Sequence, residues 1–96
     1  MVRKQAAWMR ALDERILEHL HEAGESNPVL MEDNPQFDEM GVSRGQIRER
    51  CIQLADAGLI ATTGKNWFDV TTWGQQYLDG EIDARHQPRP RPGRVL

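Results

Sequence analysis

Val42-Ser43-Arg44-Gly45-Gln46-Ile47-Arg48-Glu49-Arg50-Cys51-Ile52-Gln53-Leu54-Ala55-Asp56-Ala57-Gly58-Leu59-Ile60 is the stretch on which the reading of the fold turns. Ser43 predicts an N-cap, because its hydroxyl can accept a bond from an unpaired amide of the first turn. Ile47, Cys51, Leu54 and Ala55 then follow the i, i+4, i+7, i+8 spacing of one helical face. Arg44, Gln46, Arg48 and Arg50 flank or oppose that stripe. Gly58 stands where a left-handed residue ends a helix, and Leu59-Ile60 opens an extended run. A capped helix over 43–57 with an anchoring stripe and arginines near its start has the form of a major-groove reader.

Composition bounds the class. Ninety-six residues predict one small domain with a modest core. No apolar run approaches membrane-spanning length, and the N-terminal residues lack the layout of a secretion signal, so the expected location is the cytoplasm. The single cysteine cannot form an internal disulfide, and its place on the apolar stripe predicts a core residue. The net charge of -3 is unusual for a nucleic-acid binder. The charge is segregated: residues 1–84 carry eight basic against fifteen acidic side chains, whereas 85–96 carry four arginines and no acid. An acidic body fits either a proteome adapted to high salt or a partner other than DNA.

Ahead of the central stretch, Asp13 is expected to cap a first helix with Leu12, Ile16, Leu17, Leu20 and Ala23 on its apolar side and Gly24 as its stop. His19 and His21 are two apart and share no helical face, so they are not a metal pair. Asn27-Pro28 signals a second start, and Asn34-Pro35 is read as its end. The connection 36–41 contains Phe37 and Met40, both expected to tuck inward. It is longer than the three or four residues of a compact helix-turn-helix. Beyond the central stretch, Leu59–Thr63 and Trp67–Thr71 read as strands joined by Gly64-Lys65-Asn66, with Phe68 and Val70 on one face. Thr72 is expected to cap a last helix through Trp73, Tyr77 and Leu78, with Gly80 as its stop. Pro88, Pro90 and Pro92 alternate with arginines, which predicts a disordered Arg/Pro-rich tail over 85–96.

The expected fold is therefore mainly α with a small β-hairpin: a winged helix over 1–84, with a three-helix core, a two-stranded wing at 59–71 and a C-terminal helix. Several segments resemble haloarchaeal winged helix DNA-binding proteins of the phage phi-H repressor type. They are Trp8-Met9 ahead of Asp13-Glu14-Arg15-Ile16-Leu17-Glu18, Arg50-Cys51 with Leu54-Ala55-Asp56-Ala57-Gly58-Leu59, Val70-Thr71-Thr72-Trp73-Gly74, and Tyr77-Leu78-Asp79-Gly80-Glu81-Ile82-Asp83-Ala84. The resemblance implies a small transcriptional regulator, a repressor acting as a homodimer on double-stranded DNA, and a halophilic setting in which an acidic body is expected.

The residues divide by role. Ser43 offers a hydroxyl and a helix-start amide to phosphate. Arg44, Gln46 and Arg48 lie where side chains reach base edges, arginine suiting guanine and glutamine suiting adenine. Gly45 permits close backbone approach, or is a mildly destabilising accident. Arg50 is assigned to phosphate over a surface pair with Glu49 or Asp56. Lys65 and Asn66 at the wing tip suit phosphate, whereas Trp67 is expected to pack on the neighbouring helix. Trp8, Trp73 and Tyr77 are candidates for the dimer surface. No carboxylate pair, nucleophile–base set or metal-ligand spacing stands out, so neither an enzyme, a cofactor, a small-molecule ligand nor a membrane partner is expected. The alternative function is a winged helix that binds protein through its acidic surface without contacting DNA.

Overall fold

The computed structural model describes residues 3–86; the expected disorder of the tail, from residue 87 onward, lies outside the described residues. The chain runs α1 (Ala11–Ala23), α2 (Pro28–Glu32), α3 (Pro35–Asp38), α4 (Arg44–Asp56), β1 (Ile60–Gly64), β2 (Trp67–Val70), α5 (Thr72–Leu78) and a 3-10 turn (Ala84–His86). The helices pack together, the hairpin leans on α1 and α4, and α5 returns to α1. This is the winged helix layout expected from the sequence.

Local chemistry explains most boundaries. Asn27 caps α2 by accepting from Leu30 N, with Pro28 preset for the first helical position. The next Asn-Pro pair repeats the device instead of closing the segment. Asn34 accepts from Gln36 N and opens α3, so the connection expected to be plain loop carries its own turn of helix. Phe37 on α3 is fully buried, but Met40 lies in the exposed turn that follows. Asp13 is not the cap of α1. It sits in the third helical position and accepts from Arg10 N at 2.8 Å. The last helix is likewise capped one residue earlier than expected, by Thr71 onto Gly74 N.

The core follows the apolar stripes. Ile16, Leu17 and Leu20 of α1 meet Met31, Phe37, Ile47, Cys51, Leu54, Leu59 and Tyr77, all essentially without solvent exposure. Each large aliphatic side chain so buried contributes about 1.5–3 kcal/mol. Ala23, expected on the apolar side of α1, is exposed. The burial of Cys51 pushes its thiol up to about 12, which keeps it protonated and unreactive at neutral pH.

β1 and β2 pair antiparallel with Ile60 opposite Val70 and Thr62 opposite Phe68, and a bulge before the tip lets Gly64 face Trp67. Asn66 takes φ 61°, the left-handed conformation the turn requires. On the outer edge of β2, Ser26 exchanges both backbone bonds with Phe68 at 2.8 and 2.9 Å. That single residue ties the wing to the end of α1, where His19 Nε2 lies 3.0 Å from Ser26 Oγ. At the other end, Gly74 lets α5 cross close to the start of β1. A Cβ there would lie 2.1 Å from Leu59 O and 2.5 Å from Val70 Cγ2.

Candidate nucleic-acid interface

The first turn of α4 is built by reciprocal capping. Ser43 Oγ accepts from Gln46 N at 3.2 Å, and Gln46 Oε1 accepts from Ser43 N at 2.8 Å. Ile47, Cys51 and Leu54 hold the helix to the body, leaving Ser43, Arg44, Gly45, Gln46 and Arg48 exposed on its outer side. The cap commits the carbonyl oxygen of Gln46. A bidentate adenine contact needs both ends of that carboxamide, so in this conformation Gln46 starts the helix and does not read a base. Gly45 adds no bulk: a Cβ there would have only Ser43 Oγ near it, at 3.9 Å.

The arginines part company. Arg44 is exposed, yet its guanidinium Nη2 lies 3.3 Å from Glu32 Oε1, and its backbone N–H donates to Glu32 Oε2 at 2.6 Å. Arg48 reaches across to the wing, its Nε donating to Asn66 Oδ1 at 3.0 Å. Arg48 and Lys65 have no ion pair among the described residues. The assignment of Arg50 to phosphate is overturned. Its side chain is buried, with Nε and Nη2 each donating at 2.8 Å to one oxygen of the fully buried Asp13, and Nη2 donating also to Trp8 O at 3.2 Å. The bonds it donates to Asp13 raise the guanidinium pKa above its ordinary value, against the opposing effect of burial. Its partner is neither Glu49 nor Asp56 but a residue 37 positions away.

Lys65 and Asn66 occupy the wing tip. Together with Arg44, Arg48 and Trp67 they line a cleft of about 240 Å³ between α2, the start of α4 and the hairpin. Trp67 is 37% exposed on this side. It faces the cleft and is not packed away under a helix as expected. Three cationic side chains, the Asn66 amide and one indole thus converge on a single concave surface. Trp67 on this surface, and Glu32 as the partner of Arg44, are what sequence reasoning missed. Glu32 is twelve residues from Arg44 with no periodic relation to it.

Of the three aromatics assigned to a dimer surface, Tyr77 is fully buried and its hydroxyl donates to Glu14 Oε2. Burial, reinforced by that carboxylate, raises its pKa well above the ordinary range. Tyr77 is therefore a core residue. Trp73 is 48% exposed, and Trp8 packs partly against the core with its indole N–H buried and unpartnered among the described residues. Arg85, at the root of the tail, is paired with Asp83. No helix is long and apolar enough to cross a membrane, and no cluster of three or more His, Cys, Asp or Glu is placed to hold a metal ion among the described residues.

Comparison with known proteins agrees with this fold. The chain is 28% identical over 82 residues to the repressor protein of Halobacterium phage phiH, an alignment covering 82% of this chain and 89% of that one. Its fold matches the crystal structure of the PhiH1 repressor-like protein from Haloarcula marismortui with a TM-score of 0.84 and 34% identity, covering 93% of this chain and 98% of the other. The profile of the winged helix-turn-helix phage repressor family matches residues 1–87. This chain belongs to the winged helix-turn-helix phage repressor family.

Proposed function

We propose that the protein is a sequence-specific DNA-binding regulator of repressor type, non-enzymatic and acting in the cytoplasm as a homodimer that places one α4 and one wing on each half-site. The observation that carries this reading is the concave cationic surface where Arg44, Arg48, Lys65 and Asn66 meet. A helix start inserted into the major groove leaves the adjacent wing beside the flanking backbone. There Lys65 acts as a point charge on phosphate and Asn66 as a neutral donor. Arg48, without an acidic partner among the described residues, is the side chain best placed to read guanine. Ser43 contributes its hydroxyl proton, and Gly45 admits a sugar-phosphate strand close to the helix.

Selection from a randomised duplex library, followed by binding of Arg48→Ala and Lys65→Ala, tests the proposal. Arg48→Ala is expected to cost about 1–3 kcal/mol on the selected site and to relax the preference at one base pair. Lys65→Ala is expected to weaken all duplexes alike and to reduce the salt slope by about 1. A library that yields no enriched sequence, with neither variant changing binding, refutes the assignment. A solution mass of one chain on the bound duplex refutes the dimer.

A further inference from the structure

The start of α4 already carries an anion, and that anion belongs to the protein. Glu32, the last residue of α2, presents one carboxylate oxygen to the backbone N–H of Arg44 at 2.6 Å and the other to the Arg44 guanidinium at 3.3 Å. Free amides at a helix N-terminus combined with a guanidinium fork make the arrangement by which proteins grip phosphate. Both contacting groups lie on the outer side, and the Arg44 side chain remains 58% exposed. We infer that Glu32 is an internal stand-in for a DNA phosphate, and that the duplex must displace it to reach Arg44. This rests on the DNA-binding function proposed above and specifies how it is regulated by salt.

The consequence is electrostatic. Binding a phosphate to a free cation releases a condensed counterion, which makes affinity fall with salt by about 0.9 logarithmic units per phosphate neutralised. Arg44 paired with Glu32 has no net charge to give. Exchanging the carboxylate for a phosphate leaves one anion uncompensated before and after, so this contact releases no counterion. Glu32 therefore lowers affinity in dilute salt and flattens the dependence on salt. Arg48 and Lys65 keep the ordinary dependence, having no carboxylate to exchange among the described residues.

Fluorescence anisotropy with a labelled duplex of arbitrary sequence, titrated across a tenfold range of salt, measures this directly. Glu32→Gln keeps an acceptor for the Arg44 amide and removes only the charge. It is expected to steepen the slope by about 0.9, so that its advantage over wild type shrinks about eightfold across that range. Glu32→Gln combined with Arg44→Ala is expected to return to the wild-type slope. Glu81→Gln, the same charge change on the exposed turn after α5, is expected to leave the slope unaltered. Parallel lines for wild type and Glu32→Gln, or equal steepening by Glu81→Gln, overturn the inference while leaving DNA binding intact. Absence of binding by every variant in dilute salt overturns both.

Discussion

Asp13→Asn tests the pair that fixes the orientation of α4. The wild-type carboxylate is fully buried and receives three hydrogen bonds, from Arg10 N, Arg50 Nε and Arg50 Nη2, each at 2.8 Å. Asparagine preserves the shape but turns an amide against guanidinium donors and leaves the Arg50 charge buried without a counter-charge. Removing one partner of such a pair costs about 3–5 kcal/mol. A domain of this size has about 5–15 kcal/mol in all, so the variant loses a large part of its stability. Urea unfolding followed by circular dichroism gives the value. With m of about 1.5 kcal/mol/M, the midpoint falls by about 2–3 M. Adding Arg50→Met removes the stranded charge and is expected to restore most of the loss, since an apolar replacement of a buried pair is often near neutral. An Asp13→Asn unfolding free energy within about 1 kcal/mol of wild type, or a double variant no more stable than the single one, refutes the reasoning.

Three further outcomes follow from the geometry. Gly45→Ala is expected to raise stability by about 0.5–1 kcal/mol, because the space beside Gly45 is open, and to weaken duplex binding if a backbone strand approaches there; thermal melts and anisotropy check the two halves. Burial, the largest influence, lowers the pKa of the half-buried His19 below its usual 6.5. The folded state therefore favours the neutral ring: its contribution is complete above about pH 6.5 and lost as pH falls through the lowered folded value. Urea midpoints across that range are expected to decline in wild type and to decline less in His19→Gln. Cys51, with its thiol near 12, is expected to resist alkylation in the native protein at neutral pH and to react once urea unfolds the chain, as mass spectrometry would record.

Spacing and capping residues make α4 legible in the sequence. Ile47, Cys51 and Leu54 are buried together because the 3.6-residue period leaves them no other arrangement against an apolar body. The fate of Arg50 was written in the same period. It lies three residues after Ile47 and four before Leu54, inside the stripe, just as Asp13 lies three before Ile16 and four before Leu17. Two opposite charges embedded in two apolar stripes must pair or remain uncompensated, and that constraint identifies the partner across 37 residues. Asn34-Pro35 was ambiguous because the same pair of residues can end one helix or begin another. Nothing periodic marks Ser26 as the strand beside Phe68, nor Glu32 as the acceptor for Arg44. Both contacts depend on how α2 is set against the wing and α4, which the packing of the whole chain decides.

Amide chemical-shift mapping during titration with a selected duplex tests the central claim most directly. The account predicts the largest changes at Ser43–Arg48 and Lys65–Trp67, with the outer face of α1 around Glu22 unmoved. Changes concentrated on the acidic surface of α1 and α3, or none at saturating duplex, would contradict it.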